Sequence, residues 1–472
     1  MELTQLSISQ VQEGLKKKKF SSLEVVGSCL EKIKKTNPKI NAFLTVCEKE
    51  ALVEARKADD LLSRQPPIIN RQSLLGIPLA IKDIFCTKGI KTTAGSKVLE
   101  NYLPVYDATA VKKLKEAGAI IIGKTNLDAW AHGSSGENSD FGITKNPWDE
   151  NYVPGGSSSG SAAAIAAQMA FGATGTDTGG SIRLPASFCG VIGLKPTYGR
   201  ISRYGVIAMA SSLDTVGCFG KEVMDLAILL QIMAGADGFD ATAPKLPVPD
   251  YLNSLEKPIK NLKIGLPKEY FAKGLDTRIK KRIQSVVENL KKQGAKISEV
   301  SLPHSPYALA VYYIIQPSEV SSNLARYDGL RYGFDRTFFG AEAKRRIMLG
   351  TYTLSSGYYE AYYLKAMKVR TLIREDFDEV FKKVDLLLTP VSPTLPFKIG
   401  EKTADPLKMY LSDIYTVTAN LAGIPGLSLP AGLVSNLPVG FQLLGPQFSE
   451  ELLFQVAYQY EQKSEFYKNN LV

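Results

Sequence analysis

The chain opens with segments of helical periodicity. Ser7 to Leu15, Ser21 to Lys35 and Cys47 to Ser63 each carry the pattern, and Ser7-x-x-Gln10 and Ser21-x-x-Glu24 read as capping boxes for two of them. In the second segment Leu23, Val26, Leu30 and Ile33 fall on one face, and Asn37-Pro38 predicts its end, because proline disfavours a helical residue before it. Beyond Leu74 the pattern changes. Leu75 to Ile84 is apolar except for Lys82 and Asp83 and reads as a buried strand running into a loop, while Ser161 to Ala173 is Ala-rich and predicts a buried helix. Helical Ala108 to Glu116 precedes strand-like Ala119 to Ile122, Arg278 to Lys292 precedes Lys296 to Val300, and Tyr358 to Lys383 precedes Leu386 to Thr389. This alternation predicts an α/β fold, a mixed or parallel sheet covered by helices on both faces. No repeat or low-complexity stretch divides the chain, so the expected organisation is one large domain over 66–472 with a helical extension over 1–65 packed on it.

Two serines in glycine-flanked turns stand out: Gly155-Gly156-Ser157-Ser158-Ser159-Gly160-Ser161, and Asp177-Thr178-Gly179-Gly180-Ser181-Ile182-Arg183. A serine in such a turn has its hydroxyl beside unpaired backbone N–H groups, which acyl transfer needs to hold a developing oxyanion. The chain has only two histidines, His132 and His304. Neither has an orienting partner nearby in sequence, so packed or solvent-facing imidazoles outweigh catalytic ones. If a base deprotonates serine, lysine becomes the candidate. Lys82 fits, because desolvation in an apolar strand pulls an ammonium toward neutrality. The alternative, that Lys82 only pairs with Asp83 at a strand end, stays open. A phosphate-cradling loop is excluded, since no lysine follows Gly160. A flexible linker fits poorly, because an apolar helix follows directly.

Composition narrows the classes. Hydrophobic content of 44% with 22% charge is ordinary for a globular protein. No apolar run reaches about 18 residues and no signal-peptide pattern opens the chain, so the expectation is a soluble, cytoplasmic protein without membrane contact. The five cysteines, Cys29, Cys47, Cys86, Cys189 and Cys218, form neither a disulfide framework nor a zinc motif, and Cys189 is expected to be a packing residue. The net charge of +10 permits an anionic partner. Its densest clusters, Lys16 to Lys19 and Lys32, Lys34 and Lys35, read mainly as solubilising faces.

The set Lys82, Ser157 and Ser181, with Gly76 to Asp83, Gly123-Lys124-Thr125-Asn126, Asn146-Pro147-Trp148, Pro154 to Ala164, Asp177 to Gly193 and Lys195 to Arg200, resembles the amidase signature family over about a third of the chain. The resemblance implies that family's fold, a mixed central sheet covered by helices on both faces. It implies Ser181 as the acylated nucleophile, Lys82 as the base, and Ser157 as the bridging serine behind a cis peptide bond. The oxyanion would be held by N–H groups of Thr178, Gly179, Gly180 and Ser181. Ser159, where the family more often shows glycine, is expected to crowd its turn.

Further stretches, Ser321 to Gly329, Arg345 to Gly350, Ser356 to Tyr363 and Met409 to Asp413, are similar to the glutamine-cleaving branch of that family, which works within tRNA-dependent amidotransferases. That likeness implies glutamine as substrate, with Arg346 on its carboxylate, Asp413 on its ammonium and Tyr313 nearby. A surface cation and a helix cap remain alternatives for Arg346 and Asp413, and Arg345 could replace Arg346. It further implies B and C partner subunits in a heterotrimer, misacylated Glu-tRNA(Gln) as acceptor, ATP and Mg2+ in a partner subunit, and no cofactor or metal in this one. The stretch 333–345 is shorter than the branch pattern, and Gln316-Pro317 and Gly136 depart from it. The rival readings are a stand-alone amidase and a noncatalytic basic RNA-binding scaffold.

Overall fold

Strands buried on both faces need no polar alternation, and the chain uses them that way. In the computed structural model, which describes residues 2–64, 73–272, 274–331 and 333–464, every position of β2 (Pro78–Lys82), β3 (Ile120–Thr125), β4 (Gly172–Asp177), β5 (Ile192–Lys195) and β6 (Thr215–Gly220) is buried. So is every position of β9 (Leu386–Pro390) and β11 (Leu437–Leu444). Burial fades only in β1 (Phe43–Val46), β7 (Lys263–Pro267), β8 (Lys296–Val300) and the far end of β10 (Gly426–Val434).

These strands form one sheet in the order β1-β3-β2-β4-β6-β5-β10-β11-β9-β7-β8. It is mixed: β2 runs parallel to β3 and β4, and β7 to β8 and β9, while the centre from β4 through β6, β5, β10 and β11 to β9 is antiparallel. Helices cover it, as the alternation predicts, and a single large apolar core joins them to the strands.

Both capping boxes form, Ser7 with Gln10 and Ser21 with Glu24. The second helix does not stop at Asn37. It spans Ser22–Ile40, with Pro38 inside its last turns and a left-handed Asn41 closing it. Pro38 and Lys34, whose carbonyl loses its helical donor there, are both exposed, so water can take that bond. This helix also buries two faces. Val25, Cys29 and Ile33 enter the main core, whereas Leu23, Val26 and Leu30 pack with Ala51, Ala55 and Ile120.

The expected helix Ser161 to Ala173 is shorter. It spans Ser159–Ala166, Gln168 takes a φ of 58°, and β4 begins at Gly172, because a buried apolar run carries no mark of where helix yields to strand. The segment Tyr358 to Lys383 starts with a π-helical turn, Tyr359–Leu364, before the α-helix Lys365–Val380. Residues 43–46 of the N-terminal stretch form the edge strand β1 against β3. The expected boundary between residues 65 and 66 lies outside the described residues.

One buried ion pair ties the centre together. The Arg183 guanidinium meets the Asp177 carboxylate at 3.0 Å and also donates to the Thr416 carbonyl, Asn420 Oδ1 and Gln442 Oε1, joining β4, β11 and the segment between β9 and β10. Burial opposes ionisation of Asp177, yet the Arg183 charge and hydrogen bonds overcome it and hold the carboxyl at about 2. Replacing Arg183 by Met would strand that carboxylate and should cost about 3–5 kcal/mol in urea-denaturation stability. The wild-type contribution should persist above the ordinary carboxylate value near 3.9 and fade as pH falls through about 2. A loss below about 1 kcal/mol would mean the network relaxes around the change.

Candidate active site

Lys82 ends β2 with its side chain wholly buried, where no water can solvate an ammonium. Its Nζ meets three hydroxyls: Ser157 Oγ at 2.9 Å, Ser158 Oγ at 2.9 Å and Thr176 Oγ1 at 2.8 Å. Asp83 turns elsewhere, to Lys124 at 3.0 Å and to the Thr93 hydroxyl and N–H, so the strand-end pairing of Lys82 with Asp83 does not occur. Burial lowers Lys82 to about 7, against weaker opposing pulls from Asp128, Asp177 and Asp214. Ser158 Oγ already donates to the Thr176 carbonyl, so it accepts from Lys82. Ser157 and Thr176 are left as the hydroxyls able to give a proton to the neutral amine.

The peptide bond between Gly156 and Ser157 is cis. The Ser157 carbonyl accepts the Asp128 N–H at 3.2 Å, and the Asp128 carboxylate in turn accepts the N–H groups of Gly136 and Asn138. Ser181 lies on the neighbouring turn, joined to the first by the Ser158 N–H donating to the Ser181 carbonyl at 3.1 Å. No hydrogen bond links Ser157 Oγ directly to Ser181 Oγ in this structure, in keeping with catalytic contacts that tighten only around substrate.

After β4 the chain leaves the sheet. The Asp177 carboxylate takes the N–H groups of Ile182 and Arg183, while those of Thr178, Gly179, Gly180 and Ser181 have no hydrogen-bond partner among the described residues. Four successive free donors beside a serine are what an oxyanion requires. The turn is held from outside: the Thr178 hydroxyl donates to Asp214, and the Thr416 hydroxyl donates to the Gly179 carbonyl at 2.6 Å. Gly180 has a φ of 141°, and a Cβ there would sit 2.3 Å from Thr416 Oγ1, so no other residue fits.

Arg346, Asp413 and Tyr313 come together although they lie far apart in sequence. The Tyr313 hydroxyl donates to Asp413 Oδ2 at 3.0 Å, the Ser134 hydroxyl donates to the same oxygen at 2.7 Å, and the Arg346 guanidinium lies 4.5 Å from the Tyr313 ring centroid. Arg346 is 4% exposed and also donates to Glu342 Oε1 and Gln316 Oε1, both at 2.7 Å. Arg345 is 41% exposed and pairs with Glu342, so Arg346 is the arginine of the two that lies beside Tyr313. Burial raises Asp413 to about 6, moderated by the Ser134 and Tyr313 hydroxyls and by Arg346.

Neither histidine approaches Ser181 as a hydrogen-bonding partner. His304 bonds Asp376 at 2.8 Å. His132 is buried, and burial together with the Arg346 charge pushes it well below the usual imidazole range, leaving it neutral. Cys189 is a packing residue, its thiol on the Pro154 carbonyl and pushed up by burial. Ser159 does not crowd its turn. A Cβ on Gly136 would lie 2.7 Å from Ser159 Cβ, so Gly136 leaves the room that Ser159 takes. Sequence reasoning missed Thr176, Asp128, Ser134, Asp214 and Thr416. Only Thr176 had a signal, sharing a strand face with Thr174, which accepts the Lys82 N–H.

The amidase family profile matches residues 24–454. In Carboxydothermus hydrogenoformans, the A subunit of glutamyl-tRNA(Gln) amidotransferase is 56% identical, with 99% of each chain covered. The crystal structure of the same-named protein from Thermotoga maritima is 44% identical with a TM-score of 0.84, covering 99% of this chain and 96% of that one. The peptide amidase of Stenotrophomonas maltophilia is 30% identical with a TM-score of 0.82, covering 97% of this chain and 96% of that one. With its profile matched almost end to end, and a buried lysine set among serine hydroxyls beside a row of free N–H groups, this chain belongs to the amidase family.

Proposed function

We propose that the protein is a glutamine amidohydrolase, the ammonia-producing subunit of a tRNA-dependent amidotransferase. The observation that carries the reading is a cation and an anion, Arg346 over the ring of Tyr313 and Asp413 on its hydroxyl, with Thr416 joining Asp413 to the turn of free N–H groups. Free glutamine carries a carboxylate and an ammonium, and those two groups match such a pair.

In this mechanism neutral Lys82 accepts the Ser157 proton as Ser157 accepts that of Ser181. Ser181 Oγ attacks the side-chain carbonyl of glutamine, and the N–H groups of Thr178, Gly179, Gly180 and Ser181 hold the oxyanion. Collapse returns the proton to the departing nitrogen, which leaves as ammonia. Water then cleaves the glutamyl ester by the same relay and frees glutamate and Ser181.

The relatives' name supports a place in a larger assembly, with B and C subunits in a heterotrimer and misacylated Glu-tRNA(Gln) as the final acceptor. ATP and Mg2+ belong to a partner subunit on this reading, and the assembly is cytoplasmic, where charged tRNA is used. The likeness to a peptide amidase keeps one rival, a stand-alone enzyme for other carboxamides. Glutaminase assays with and without copurifying subunits and charged tRNA separate the two. Stimulation by partners is expected, and full activity on hydrophobic amides by the chain alone would favour the rival.

Ser181→Ala should abolish glutaminase activity with the fold intact, and mass spectrometry of the trapped wild-type protein should place the glutamyl ester on Ser181. An adduct on Ser157 or Cys189 would overturn the assignment. Activity should rise with pH through about 7, where Lys82 loses its proton, and Lys82→Arg should be nearly inactive because guanidinium stays charged. Substantial Lys82→Arg turnover would put the base elsewhere. Arg346→Ala should lower kcat/KM for glutamine roughly tenfold to a hundredfold, while 4-aminobutanamide, glutamine without its carboxylate, should lose little. Equal losses on both would remove Arg346 from the carboxylate.

A further inference from the structure

The helix Ala308–Asn323 turns three side chains toward the Arg346 and Asp413 pair and the free N–H row, at the i, i+1 and i+4 positions of one turn. Tyr312 packs on the free N–H row, its hydroxyl 2.7 Å from where a Cβ on Gly179 would stand. Tyr313 donates to Asp413. Gln316 is third, 1% exposed, and its Oε1 accepts from Arg346 Nη1 at 2.7 Å. A guanidinium only donates, so the amide's orientation is set: oxygen toward Arg346, NH2 away from that bond. The Gln316 Nε2 is buried and has no hydrogen-bond partner among the described residues. A buried donor without an acceptor is destabilising, and an oxygen supplied by a ligand or a water would relieve it.

We propose that Gln316 is a specificity-determining residue whose Nε2 donates to the ligand carboxylate beside Arg346. The proposal rests on the pocket reading above, in which Arg346 takes that carboxylate. Because Gln316 Oε1 is bound to the same guanidinium, the two side chains form one rigid unit. A carboxylate has two oxygens to fill, and this unit offers donors from two directions. Glu342 accepts from Arg346 Nε and from the Tyr410 hydroxyl, which braces the guanidinium. Gln316 thereby adds discrimination against amides that lack a carboxylate, since without one a buried NH2 stays unpaired.

The test is calorimetric binding of glutamine and 4-aminobutanamide to the full chain carrying Ser181→Ala, which cannot turn either ligand over. Adding Gln316→Met should weaken glutamine about tenfold or more relative to 4-aminobutanamide, as expected for one charge-assisted donor. The deciding comparison is made with Arg346→Ala also present. A further loss from Gln316→Met in that background supports direct contact, and no further loss overturns the proposal, because Gln316 then acts only through Arg346. If Arg346→Ala itself leaves the glutamine preference untouched, the pocket reading fails instead, and the two failures are distinguishable. Should Gln316→Met not fold, Gln316→Glu keeps an acceptor for Arg346 while removing the donor. It should lose glutamine at least as strongly, and retained glutamine affinity in that variant overturns the proposal.

Discussion

An ammonium enclosed by protein is unstable unless a carboxylate sits on it, and everything at this site follows from giving Lys82 hydroxyls instead. Among the described residues three lysines are fully buried, Lys82, Lys124 and Lys195, and the other two show the contrast. Lys124 rests on the Asp83 carboxylate, with two carbonyls and the Thr92 hydroxyl beside it, and Lys195 on the carbonyls of Pro196 and Ile424. Burial lowers Lys195 to about 7 as well, but carbonyl oxygens carry no proton to hand over. Of the two lysines that burial lowers, Lys82 alone is surrounded by hydroxyls that can give it a proton.

That arrangement needs fixed charge kept close but not in contact. Asp177 lies at the end of β4, one strand from Lys82, and its pairing with Arg183 commits its carboxylate to the turn that bears Ser181. Asp128 and Asp214 are likewise occupied by backbone N–H groups. Each carboxyl is thus committed to shaping a loop, and the lysine feels only residual attraction at a distance.

The cluster of Lys82 with the serine turns was readable in the chain because it is built of glycine, serine and a lone lysine in a strand, types whose spacing survives without knowledge of packing. Lys82, Ser157 and Ser181 were found that way, and the alternation of helices and strands gave the α/β layers. The supporting groups were hidden for a physical reason. Asp214, Thr416 and Ser134 act through contacts with residues distant in sequence, and an aspartate or threonine in a loop looks the same whether it holds a glycine-rich turn or faces water. Arg346 and Asp413 were placed through family likeness, since only the folded chain sets both beside Tyr313. The misjudged boundaries near Pro38 and Ala166 share another cause. Solvent can replace one helical bond, and uniform apolar sequence leaves the switch from helix to strand to the packing.

Thr416 carries a consequence of its own. Its hydroxyl proton is shared between the carbonyl of Gly179, 2.6 Å away, and that of Asp413, 3.0 Å away. The carbonyls of Gly179 and Asp413 therefore sit at a set separation. On the reading proposed above, that separation is what a substrate with an ammonium at one end and an amide carbonyl at the other has to match. Since misplacement by about 1 Å can cost roughly a hundredfold in rate, such a site would measure the length between the two groups, through one shared proton well away from the reacting bond.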